Sequence, residues 1–76
     1  MMQIGMLWFD NERDKTLAEK VADAAAYYRR KYGQAPNYCE THPAPDLPER
    51  VGTVRIVPSR QIIPNHLWIG IETDDQ

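Results

Sequence analysis

The chain reads as a small α+β domain of order β-α-β-β-β, with one helix packed on one face of a mixed four-stranded sheet that ends in an antiparallel hairpin. Three observations predict it. Residues 4–9 form an unbroken apolar run of strand length. Leu17, Val21, Ala24, Ala25, Tyr28 and Tyr32 recur at helical spacing. Residues 53–57 and 67–72 alternate apolar and polar side chains, as strands with one covered face do.

Taken in order, the run at 4–9 predicts a first strand covered on both faces and central in the sheet, because continuous apolar runs belong to doubly buried strands. Asp10 to Asp14 is polar and turn-forming. Thr16 and Glu19 stand in the T-x-x-E spacing of a capping box, with Asp14 a competing N-cap. The helix that follows keeps Glu19, Lys20, Asp23, Arg30 and Lys31 off its apolar stripe. Gly33 suits the left-handed residue that ends a helix, and Pro36 prevents continuation. Residues 37–41 then read as a second strand, parallel to the first through a right-handed crossover.

Pro43, Pro45 and Pro48 remove backbone donors, so residues 42–52 read as a loop without an element of its own. The last two strands, joined through Pro58 and Pro64, are expected to pair with each other. Matching their apolar positions opposes Ile56 with Leu67 and Val54 with Ile69, and sets Arg55 across from Trp68 on the face away from the helix. Glu72, Asp74, Asp75 and Gln76 make a polar tail.

Seventy-six residues bound the chain to a single domain, 1–76, with a thin core, and a lone Cys39 excludes an intrachain disulfide. Nine Lys and Arg against eleven Asp and Glu give no global field toward nucleic acid or anionic lipid. The first nine residues are too short for a membrane span, lack a basic flank and run into Asp10, Asn11 and Glu12, so they read as a strand and not as a signal. A cytoplasmic location and no membrane partner are the corresponding expectations.

No catalytic fingerprint, phosphate loop or full metal-ligand set is present, and no cofactor is expected. Cys39 and His42 form a C-x-x-H pair that His66 and Asp10 could complete as a metal site for a small hydrolase. The plainer reading is a buried thiol and a loop histidine before Pro43. Arg55, Arg60, Trp68 and Tyr38 could form a local nucleic-acid platform of aromatics beside cations. The same Arg and aromatics also suit a cation–π pair that only stabilises the sheet.

The leading expectation comes from coverage. One helix hides one sheet face, here Val54, Ile56, Leu67, Ile69, Ile71 and Cys39 with either the Ile4, Met6 and Trp8 set or the Leu7 and Phe9 set. The other face then presents Tyr38, Arg55 and Trp68, a composition typical of protein contacts, unless the Pro-rich loops fold over it. The sequence therefore predicts a non-catalytic interaction module, a homo-oligomer or protein partner, that self-associates through an open sheet face or an edge strand.

Overall fold

In the computed structural model the chain forms one small domain in which a single helix lies on a mixed five-stranded sheet. The structure describes the backbone of residues 2–73 and the side chains of residues 5–73. The tail positions Asp74, Asp75 and Gln76 and the side chain of Ile4 lie outside the described residues. The elements are β1 (Met2–Phe9), α1 (Leu17–Tyr32), β2 (Tyr38–Thr41), β3 (Arg50–Val51), β4 (Val54–Pro58) and β5 (His66–Glu72).

The helix forms where the apolar spacing and its caps place it. The Glu19 N–H donates to Thr16 Oγ1 at 3.1 Å and the Thr16 N–H to Glu19 Oε1 at 2.8 Å, so both halves of the capping box are made. At the other end Gly33 takes φ 77° and its N–H returns to the Arg29 carbonyl at 2.8 Å. Val21, Ala24 and Tyr28 are fully buried on the sheet, and Leu17 and Ala25 pack at the margin of the same core. Tyr32 closes the stripe, its ring centroid 4.6 Å from that of Tyr28.

The sheet order is β1-β5-β2-β4-β3, and it corrects the expected topology at four points. The final hairpin does not form: β4 pairs parallel with β2, and β5 pairs antiparallel with both β2 and β1. Strands β4 and β5 run antiparallel to each other but are held apart by β2. Their connection at 59–65 passes the end of β2, where the Ser59 N–H donates to the Thr41 carbonyl at 2.8 Å. Second, β1 and β2 are parallel as expected of a β-α-β unit, but β5 lies between them. Third, β1 is an edge strand and not a central one.

The fourth correction is β3, within the segment expected to be all loop. Past Pro48 the backbone is free to donate and accept again, and Arg50 and Val51 pair with Arg55 and Val54 across a tight turn. Gly52 provides the positive φ of that turn, 61°.

The assignment of faces survives these changes. Met6, Cys39, Val54, Ile56, Leu67 and Ile69 are buried beneath the helix in one core with Val21, Ala24 and Tyr28, and Trp8 and Ile71 pack against it. Cys39, fully buried, has Ile56 beside it on β4 and Ile69 on β5. A small residue at that central position lets two isoleucines and the helix close over it without a void. Among the described residues no helix is long and apolar enough to cross a membrane.

Candidate interaction surface

Adjacent side chains of a strand point to opposite faces, so the residues between the core positions define the face away from the helix. One row across it runs Gly5, Gly70, Tyr38, Arg55, and the next runs Leu7, Trp68, Glu40. Two glycines side by side leave a trough, and the half-buried Trp68 indole leans into it over Gly5, so that a Cβ there would meet the ring.

Arg55 and Trp68 are therefore not opposite one another, which corrects the expected register. Arg55 lies across from Tyr38, its guanidinium carbon 5.2 Å from the ring centroid, and Nη2 donates to Glu72 Oε1 at 2.6 Å. Tyr38 is buried and its hydroxyl donates to Glu40 Oε2 at 2.9 Å. Burial first, and then the hydrogen bond and charge of Glu40, push this phenol up to about 12. Arg55, Tyr38, Glu40 and Glu72 thus form a mutually satisfied polar patch. Such a patch offers a phosphate two carboxylates beside its one paired Arg and no free stacking surface. Arg60 lies off the sheet, in the 59–65 connection.

The candidate metal set is divided between two places. Cys39 is in the core, where burial pushes its thiol up to about 12. Asp10, His42 and His66 line a cleft of about 450 Å³ at the carboxyl ends of β1 and β2, together with Leu17, Lys20, Thr41 and Leu47. Each histidine is tied down locally: Nδ1 of His42 lies 2.9 Å from the Ile62 carbonyl and Nδ1 of His66 2.9 Å from that of Pro64. A carbonyl only accepts, so each Nδ1 carries the proton. Asp10 accepts the Glu12 N–H at 2.9 Å, shaping the turn before the helix. Among the described residues no three His, Cys, Asp or Glu side chains group to hold a metal ion. The 42–52 loop, the alternative cover for the open face, lines this cleft through Ala44, Pro45, Asp46 and Leu47, against Leu17 and Leu67 of the core side.

The apolar surface lies on β1. Leu7 is 58% exposed and Phe9 57%, and the Phe9 ring rests 4.9 Å from His66. On the helix side of the same strand, Trp8 packs against the exposed Tyr27 with ring centroids 5.2 Å apart. The indole nitrogen of Trp8 is buried and has no hydrogen-bond partner among the described residues.

The backbone of β1 is equally informative. The Asp10 N–H donates to the Asn65 carbonyl at 2.9 Å, which makes Asp10 a residue whose backbone faces β5. Alternation along the strand gives Met6 and Trp8 the same direction. The β2 side agrees. The Arg55 N–H donates to the Asn37 carbonyl and the Ser59 N–H to that of Thr41, so Cys39 and Thr41 face β4, and Tyr38 and Glu40 face β5, where the Asn37 N–H also reaches the Gly70 carbonyl at 3.0 Å. Their partners Gly70 and Trp68 then face β2, leaving Leu67 and Ile69 to face β1 opposite Trp8 and Met6. The N–H and C=O groups of Gly5, Leu7 and Phe9 consequently point away from the sheet, along its free edge.

The sequence expectation placed the contact on Tyr38, Arg55 and Trp68; of these, Tyr38 and Arg55 are held by Glu40 and Glu72, and Trp68 fills the trough over Gly5. Leu7 and Phe9 stood only as one of two possible phases of β1. Gly5 carried the missing signal, since a glycine in phase with Leu7 and Phe9 would leave a hole under the helix if that set faced inward. No protein-family model matches the chain, and no match to it was found among curated proteins or among solved structures.

Proposed function

We propose that this chain is a non-catalytic interaction module that self-associates through the β1 edge of its sheet. The observation that carries the reading is the contrast between the two edges. β3 is two residues long, follows Pro48 and bears Arg50, the features by which proteins blunt an edge against pairing. β1 is eight residues long, has neither Pro nor a charged residue, and carries exposed Leu7 and Phe9. Left in water, such an edge is an adhesive surface, and a second copy offers it the matching donors, acceptors and apolar cover.

Sedimentation across a concentration series tests this, with circular dichroism to establish that each variant is folded. Wild type should associate in about the micromolar range, as small interfaces do. Phe9→Lys, which places an edge charge without touching the core, should weaken association tenfold or more at unchanged secondary structure. A wild type that stays monomeric at millimolar concentration, or a Phe9→Lys variant that associates as tightly as wild type, overturns the proposal.

A further inference from the structure

We infer that two copies join by antiparallel pairing of β1 with β1 about a two-fold axis at Leu7, so that two five-stranded sheets become one continuous sheet. This rests on the self-association reading and adds its geometry. The outward backbone groups belong to Gly5, Leu7 and Phe9, so an antiparallel pair must bring these positions into hydrogen-bonded register with one another. Centring on Leu7 pairs Leu7 with its own copy and Phe9 with Gly5 of the other subunit.

In that register both exposed side chains gain an apolar neighbour. Leu7 meets Leu7 across the axis. Phe9 lies over a glycine and against the Trp68 indole that leans over Gly5, an aromatic beside an aromatic with no Cβ between them. On the helix side, Trp8 comes opposite Met6, which favours a sulfur–aromatic contact. Moving the axis one residue earlier, to Met6, sets Leu7 against Gly5 and leaves Phe9 facing Gln3. Moving it one residue later, to Trp8, pairs Leu7 with Phe9 but sets Met6 against the Asp10 carboxylate and carries Gly5 past the end of the strand, opposite Asn11.

The remaining geometry is permissive and closed. Positions of like parity share a face in this pairing, so both helices stand on the same side of the joined sheet. Since α1 packs over β5 and reaches β3, three to five strand spacings separate the two helices, roughly 15–25 Å, wider than the 8–10 Å of packed helices, and they do not collide. Both remaining edges are β3, short and bearing Arg50, so growth stops at two copies.

Two chemical changes at Leu7 test the inference on the full chain. A synthetic chain carrying N-methyl-leucine at position 7 keeps the side chain and loses only an N–H that points away from β5. Its circular dichroism should match wild type while its dimer is lost at least tenfold in affinity; dimerisation equal to wild type overturns edge pairing and leaves the faces as the contact. Leu7→Cys should form a disulfide-linked dimer under mild oxidation, because the paired Cα atoms stand ~5.5 Å apart. Phe9→Cys should not, its copies being four positions out of register, and buried Cys39 keeps wild type unlinked. If wild type dimerises but Leu7→Cys fails to link, or Phe9→Cys links as readily, the axis is wrong and self-association stands. If wild type is monomeric throughout, both readings fall together.

Discussion

Gly5→Ala offers a direct probe of the trough that shapes the open face. A Cβ at this position would lie 2.5 Å from Trp68 Cε2 and 3.0 Å from Cη2, where ordinary carbon contacts are ~3.5–4.0 Å. The backbone under Trp68 cannot give easily, because β5 is paired on both sides, with β1 and with β2, and the β1 ladder holds Gly5 opposite Gly70. The indole must therefore withdraw by about 1 Å or swing off its rotamer, and overpacking of this kind costs about 1–3 kcal/mol. In a domain of this size each kcal/mol lowers Tm by roughly 4–8 °C, so a fall on the order of 5–20 °C is expected. Calorimetry at a concentration low enough to keep the chain monomeric measures it. The discriminating comparison is the same substitution in a Trp68→Ala background. There the clash is gone, and alanine should be neutral or stabilising by about 0.5–1 kcal/mol, since glycine loses more conformational freedom on folding. The reversal of sign is the signature; equal costs in the two backgrounds would refute the account of Trp68 resting on Gly5.

Two further outcomes follow from the fold. Gly33 holds φ 77°, and among the described residues no side chain lies within 4 Å of where a Cβ would stand, its two chain neighbours aside, so Gly33→Ala should lose about 1 kcal/mol through backbone strain alone. Gly33→Asn, which tolerates the left-handed region, should lose less, and an unchanged Tm for the alanine variant would contradict the cap. Cys39 and Tyr38 are both pushed up to about 12 from ordinary values of 9.0 and 10.0. The unfolded chain releases these protons first, so the stabilisation is complete below about pH 9 and declines as pH rises toward 12. Urea midpoints should fall between pH 8 and pH 10.5, and Cys39→Ala should flatten that fall; a slope identical to wild type would remove Cys39 as a contributor.

Local structure was legible in the sequence because local chemistry sets it. Thr16 and Glu19 at capping-box spacing, the stripe from Leu17 to Tyr32 and Gly33 at its end are readable without knowing what the helix packs on. The burial of Val54, Ile56, Leu67 and Ile69 was legible for a similar reason. Alternation along a strand fixes which side chains share a face whatever strand lies beside it. Strand neighbours were not legible. Ile56 and Leu67 share the helix face and suggested a hairpin, but the preference of apolar residues for one face is equally met with Cys39 of β2 between the two strands. β3 was hidden because three prolines just before it mask a two-residue ladder that starts past the last of them.

The candidate site followed the less legible part. Faces depend on alternation, but an interaction edge depends on strand order, and the order turned the most apolar strand of the chain from an expected central position into a border. In a central strand the backbone groups on both sides of such a run are paired with neighbouring strands. The same run at an edge leaves Leu7 and Phe9 exposed and, among the described residues, the backbone groups of Gly5, Leu7 and Phe9 without a neighbouring strand. Doubly apolar composition therefore still points to a strand whose two faces are to be covered, as it did when read from sequence. The helix covers the Met6 and Trp8 side within the chain; under the proposed pairing, β1 of a second copy meets the free edge and sets its own Leu7 and Phe9 beside those of the first.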